Sequence, residues 1–126
     1  MTDSLDRLYE AVLAAKQEDP STSRTARLLR AGRAKMAKKL AEEAVEVVID
    51  AMHGQPEAVV KESADLLYNL VVLWVHAGVR PEEVWAEMRR RELMFGLAEK
   101  VPKELVRGAA RRKVVALDMR RMRKRR

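Results

Sequence analysis

The stretch Glu42-Glu43-Ala44-Val45-Glu46-Val47-Val48-Ile49-Asp50-Ala51-Met52-His53-Gly54-Gln55-Pro56-Glu57-Ala58-Val59-Val60-Lys61-Glu62-Ser63-Ala64-Asp65 decides the fold. It holds two pairs of acids, Glu43/Glu46 and Glu62/Asp65, at equal distances either side of Gly54. Spacing of i, i+3 puts both members of a pair on one helix face. His53-Gly54-Gln55-Pro56 reads as the turn between two helices, because Gly permits the bend and Pro pre-sets the first turn of the second helix. Closing a hairpin about that turn sets Glu46 opposite Glu62 and Glu43 opposite Asp65. Four acids then meet at one level of a bundle, where they repel one another unless a cation lies between them.

Outward from this hairpin the apolar periodicity continues. Upstream, the helix is expected from about Ala34 to Met52, with Met36, Leu40, Ala44, Val47, Val48 and Ala51 as its apolar stripe. Downstream, the second helix is expected from Pro56 to Ala77, stopping at Gly78. A first helix over residues 4–18, with Ser4 as its N-cap, presents Leu5, Leu8, Val12 and Ala15 on one face. Pro20-Ser21-Thr22-Ser23 makes a loop, and a short helix comes after it over Thr25–Ala31, ending at Gly32. Pro81-Glu82-Glu83 opens a fifth helix with acids at the positive end of its dipole, running to about Glu99. The expected class is all-α: a helical-hairpin bundle of about five helices.

Between Leu66 and Val75 the second hairpin helix is apolar almost all round, so it must be covered on more than one side. In a short chain a second subunit is the expected cover, giving a homodimer or larger homo-oligomer. The alternative is that the first and fifth helices wrap it within one subunit.

The 126 residues suffice for one domain. Apolar residues make up 48%, against 5 Gly and 4 Pro, which suits helices. With no Cys, disulfides and thiolate metal sites are excluded. Asp3 and Asp6 come early and no apolar run succeeds them, so no signal peptide is read and a cytoplasmic protein is expected. The apolar run 66–75 is too short to span a bilayer, and no membrane association is expected. A net charge of +7 conceals two parts. Residues from Arg107 onward carry +9, which leaves −2 for residues 1–106. Domain limits are accordingly set at 1–102 for the helical body and 103–126 for a basic C-terminal tail, with Pro102 between them.

The chemistry comes from the acids. A solvated acidic face is the bland explanation, but Val45, Val47, Val48 and Ile49 surround the first pair, and Leu66-Leu67 adjoins the second. Ionised carboxylates beside a core must be paired or bind cations. A di-iron bundle needs Glu-x-x-His on two helices, and His53 and His76 fall at no such spacing. Oxygen donors alone favour a hard ion, Mg²⁺ or else Mn²⁺. Such an ion typically keeps positions for substrate phosphates and water, and Glu42 is placed to orient or deprotonate that water. Lys35, Lys38 and Lys39 precede the first acid pair, and Arg24 and Arg27 lie just upstream; their charges suit a triphosphate, though each is equally compatible with a solvated face. A phosphate-transfer enzyme acting on a nucleotide follows as a class, without a named substrate.

Here the residues resemble a known family. Glu42-Glu43-x-x-Glu46 with Glu62-x-x-Asp65 is similar to the signature of the MazG-like all-α nucleotide pyrophosphohydrolases. The longer resemblance, over residues 4–95, is to phosphoribosyl-ATP pyrophosphohydrolase, the second step of histidine biosynthesis. It rests on Ser23-Arg24-Thr25-Ala26-Arg27-Leu28-Leu29, Lys38-Lys39-Leu40-Ala41-Glu42-Glu43-Ala44-Val45-Glu46 and Glu62-Ser63-Ala64-Asp65-Leu66-Leu67-Tyr68. The resemblance implies Mg²⁺-dependent cleavage of the α–β phosphoanhydride, releasing pyrophosphate. It places metal binding on Glu43, Glu46, Glu62 and Asp65, with Glu42 as an accessory acid in a catalytic set of Glu42, Glu43 and Glu46. Ser23, Thr25 and Lys39 are implied near substrate phosphates, and Asn69 joins Arg24, Arg27 and Lys35 as a further candidate substrate contact. Dimerisation through the helices is implied as well.

Two other functions remain open on sequence alone. One is a related pyrophosphohydrolase that clears surplus or non-standard nucleoside triphosphates. The other is a non-catalytic basic adaptor, its tail (Arg111-Arg112-Lys113 and 120–126) binding nucleic acid electrostatically. No aromatic residue in the tail offers base stacking, so docking on protein or solvation is favoured over nucleic-acid contact.

Overall fold

Two glycines and a proline set the hairpin that carries the acids. In the computed structural model, which describes residues 3–96, α3 (Arg33–Met52) ends where Gly54 adopts a left-handed φ of +64°. That conformation lets the Gln55 N–H reach back to the Asp50 carbonyl at 3.1 Å, closing the last turn. Pro56 then begins α4 (Pro56–Ala77) at a position that has no intrahelical donor to lose. The far end of α4 stops in the same way: Gly78 sits at φ +74°, and the Val79 N–H bonds the Trp74 carbonyl at 2.9 Å. α3 and α4 are the most extensively packed pair among the described residues.

The remaining helices are α1 (Asp3–Ala15), α2 (Arg24–Ala31) and α5 (Pro81–Phe95). No strand occurs among the described residues, so the all-α class holds as expected. α1 is shorter than its apolar periodicity suggests. Residues 16–18 continue only as tight turns, with Lys16, Gln17 and Glu18 N–H groups bonding carbonyls three residues back. Ser4 is not an N-cap; the helix already includes Asp3, and the Ser4 hydroxyl accepts a bond from the Arg7 guanidinium at 3.2 Å. The cap of α2 is Ser23, whose hydroxyl accepts from the Ala26 N–H at 3.1 Å.

Residues up to Val84 form one compact unit, and Trp85 begins a second, so the division falls within α5. The core of the first unit gathers Tyr9 and Val12 from α1, Met36 from α3, and Val71, Val72 and Val75 from α4. Leu28 and Leu29 of α2 pack against it, with Tyr68, Leu73 and Trp74. Burial is therefore concentrated at the open end of the hairpin, away from Gly54. α1 and α2 both cover α4, which supplies part of the cover that its all-round apolar character demands. Nearer the turn, Val45, Val48, Ile49, Met52 and Val60 stay exposed, the extremes being Met52 at 80% and Val60 at 70%, and Leu67 at the middle of α4 is exposed as well. Val48 and Ala51 thus belong to the expected α3 stripe by spacing but not to the core.

In the second unit, Glu87 accepts from Arg90 at 2.6 and 2.8 Å and from Arg91 at 3.2 Å. These guanidinium bonds hold its carboxyl down at about 2. α5 ends at Phe95, and the stretch to Glu99 expected to extend it lies outside the described residues beyond Gly96, as do Pro102 and the basic tail. No helix among the described residues is long and apolar enough to cross a membrane.

Candidate functional site

The hairpin brings three of the four expected acids together. Carboxylate oxygens of Glu43, Glu62 and Asp65 all lie within 4.8 Å of one another, with Glu43 and Glu62 half-buried and Asp65 exposed. Glu43 thus meets both members of the α4 pair, rather than Asp65 alone. Glu46, one turn further along α3, is exposed and stands outside this group of three. Asp50, absent from the expected set, also acts on Glu62 through its charge. Its signal was available: Asp50 lies seven residues after Glu43, two turns along the same face of α3.

Like charges this close cannot all stay ionised without help. Glu62 shares a side-chain hydrogen bond with Glu43, which is the largest influence raising its pKa. Partial burial and the charges of Glu43, Asp65 and Asp50 push the same way, so the carboxyl is moved from an ordinary 4.5 up to about 7. Protonation of Glu62 relieves part of that repulsion. The donor set fits a divalent metal: three carboxylates from two rigid helices, no nitrogen or sulfur donor, and open access on the Asp65 side. Glu42 is exposed on the adjacent α3 position and lies 4.0 Å from the Lys38 ammonium, a loose pairing that leaves its carboxylate available.

The expected phosphate-binding residues occupy α2 and the first half of α3. Arg24, Arg27 and Lys35 are exposed, while Lys39 is half-buried. Arg27 is partly committed, since its Nε donates to the Pro20 carbonyl at 3.2 Å. Ser23 spends its hydroxyl on capping α2. The Thr25 hydroxyl lies 2.6 Å from the Tyr68 hydroxyl of α4, a hydrogen bond that no local sequence pattern signals. Asn69 is buried, and its amide donates to the Asp65 carbonyl one turn back at 2.8 Å. Its amide nitrogen therefore serves the backbone beside the acids.

Residues 5–92 match the sequence profile of the family described as phosphoribosyl-ATP pyrophosphohydrolase. The chain belongs to the phosphoribosyl-ATP pyrophosphohydrolase family. Among curated relatives of this family, phosphoribosyl-ATP pyrophosphatase 2 of Rhodopseudomonas palustris is 64% identical over 131 residues, covering 100% of both chains. The protein of the same name from Bradyrhizobium diazoefficiens is 65% identical over 133 residues, covering 99% of each. Phosphoribosyl-ATP pyrophosphatase of Gluconobacter oxydans is 52% identical over 102 residues, 79% of this chain and 77% of its own.

The raised Glu62 pKa has a consequence for stability in the absence of metal. Between pH 4.5 and about 7 the folded chain retains a proton that the unfolded chain has released. Stability contributed by that proton is full below the unfolded value and is lost as pH rises through the folded one. In EDTA, thermal unfolding should occur at a lower temperature at about pH 8 than at about pH 5. Glu62→Gln, which fixes a neutral side chain, should flatten this dependence and raise the unfolding temperature at the higher pH. An unaltered slope in the variant would show that the carboxylates do not oppose one another.

Proposed function

We propose that this chain hydrolyses phosphoribosyl-ATP to phosphoribosyl-AMP and pyrophosphate, the second step of histidine biosynthesis, with Mg²⁺ as cofactor and Mn²⁺ as its closest substitute. The observation that carries the reading is the convergence of Glu43, Glu62 and Asp65 on one hairpin, in a chain of this family. Those three residues would hold the ion, and Glu46, one turn from Glu43, is proposed as a fourth donor. A bound Mg²⁺ supplies charge neutralisation to phosphate oxygens and lowers the pKa of water. Glu42 would orient the attacking water and accept its proton as the α–β phosphoanhydride breaks. Arg24, Arg27, Lys35 and Lys39 offer positive charge to the polyphosphate, and guanidinium groups can grip phosphate oxygens in pairs. Ser23 and Thr25 hold the first turn of α2 from which two of these cations project. Asn69 is proposed to act on the substrate indirectly, by fixing the backbone at Asp65.

The working form is proposed to be a homodimer in the cytoplasm. Support comes from the exposed apolar side chains on the turn half of the hairpin, Val45, Val48, Ile49, Met52 and Val60, with Leu67 at the middle of α4. Exposed apolar surface of this continuity on a small protein marks an association site. Sedimentation equilibrium should therefore read a dimer, and Met52→Asp should shift it toward the monomer; a monomer before substitution would contradict this.

Pyrophosphate release with Mg²⁺, from phosphoribosyl-ATP and from a panel of ordinary and modified nucleoside triphosphates, tests the reaction. Phosphoribosyl-ATP should be strongly preferred. Asp65→Asn should lower kcat by at least about 100-fold, since even groups supporting a metal ligand are worth 10- to 100-fold. Helical content should persist in that variant. Preference for a free triphosphate would move the protein to nucleotide clean-up, and full activity in Asp65→Asn would overturn the metal assignment.

A further inference from the structure

The hydrogen bond between Thr25 and Tyr68 joins residues 43 apart in sequence and links α2 to α4. Both side chains are half-buried, so the pair lies at the margin of the core rather than within it. At 2.6 Å between hydroxyl oxygens the bond is short, and either oxygen can be the donor. Tyr68 also stands one helical turn beyond Asp65 on α4.

The surroundings of Thr25 make this bond matter. α2 is only eight residues long, too short to persist without tertiary support. The loop before it is shaped by bonds to itself: Thr22 and Ser23 N–H groups donate to the Asp19 carbonyl, and the Ser21 N–H donates to the Asp19 carboxylate at 2.9 Å. Arg27 adds a bond to Pro20. None of these reaches α4. Apolar packing of Leu28 and Leu29 anchors the later part of α2, and in the first turn the small buried Ala26 stands between the half-buried Thr25 and the exposed Arg27. A Phe at position 68 would pack the same ring, so the hydroxyl contributes the tether and not the packing.

We propose that Tyr68 is a positioning residue, which through the Thr25 hydroxyl fixes the first turn of α2, and with it Arg24 and Arg27, relative to the carboxylate-bearing helix α4. This rests on the proposed hydrolysis of phosphoribosyl-ATP, in which cations on α2 meet the phosphates while acids on α3 and α4 hold the ion. Without the tether the acids remain in place and the cations lose their fixed distance from them. Substrate binding suffers and metal binding does not.

The test compares Tyr68→Phe, Thr25→Val and the double variant as full-length chains. It reads kcat and KM for phosphoribosyl-ATP, the Mg²⁺ concentration at half-maximal rate, and the unfolding temperature. Each single variant should lower kcat/KM about three- to tenfold, mainly through KM, the range expected for one hydrogen bond. The Mg²⁺ requirement should not move, and the double variant should be no worse than either single one, because both remove the same bond. Losses that multiply, wild-type kcat/KM, or a parallel rise in the Mg²⁺ requirement would each overturn the inference. Should Tyr68→Phe fail to fold, Thr25→Val carries the comparison; failure of both would make the bond structural and overturn the positioning role. An unsubstituted protein that releases no pyrophosphate from phosphoribosyl-ATP would sink the proposed reaction and this inference with it. A working enzyme indifferent to Tyr68→Phe would sink this inference alone.

Discussion

Mutual repulsion among Glu43, Glu62 and Asp65 is the constraint around which this structure is organised. Two helices hold the three carboxylates within 4.8 Å of one another, an arrangement that costs free energy until a proton or a cation intervenes. Glu62 answers with a proton, its carboxyl pushed up to about 7 by the hydrogen bond to Glu43 and by its acidic neighbours. A fold maintains such a cluster only if the backbone beneath it is stiff. Here the stiffness comes from paired helices of 20 and 22 residues and from the capped turn between them. The geometry that makes the cluster unfavourable on its own is also the reason a divalent ion is proposed for it.

The distribution of apolar side chains stems from the same hairpin. Its open end is filled by Tyr9, Val12, Met36, Val71, Val72 and Val75, which together fix α1 and α3 against α4. The turn end has no such filling, and Met52 and Val60 remain among the most exposed large apolar residues. The open end of the hairpin is therefore a finished core, and the turn end keeps its apolar side chains uncovered. A second copy of the chain covering the turn half would bury this surface and further stiffen the helices carrying the carboxylates.

Much of this is legible in the residues. Gly54, Pro56 and Gly78 mark helix ends because a left-handed φ and a missing N–H have few other uses, and the structure uses them so. The acid spacing about Gly54 puts Glu43, Glu62 and Asp65 on facing helices. Features set by rotation and by distance in sequence are the ones that escape. A symmetric fold-over pairs residues level by level, whereas in the structure Glu43 meets Glu62 as well as Asp65 and Glu46 stays outside the group. Asp50 shares the Glu43 face but lies outside the i, i+3 pairing that singles out the other acids. Ser23 and Thr25 have the residue types of phosphate contacts, yet their hydroxyls serve a helix cap and a bond to Tyr68. Local pattern announces a cap weakly, and a partner 43 residues away not at all.

Binding of a divalent cation by this carboxylate cluster is the proposal on which the function rests. Mn²⁺ titration monitored by electron paramagnetic resonance, on the unsubstituted chain and on Glu62→Gln at about pH 7.5, tests it without reference to turnover. Saturable binding that removes free Mn²⁺ signal, competed by Mg²⁺ and strongly weakened in Glu62→Gln, is the predicted result. Equal binding by both chains, or none by either, would overturn the metal assignment.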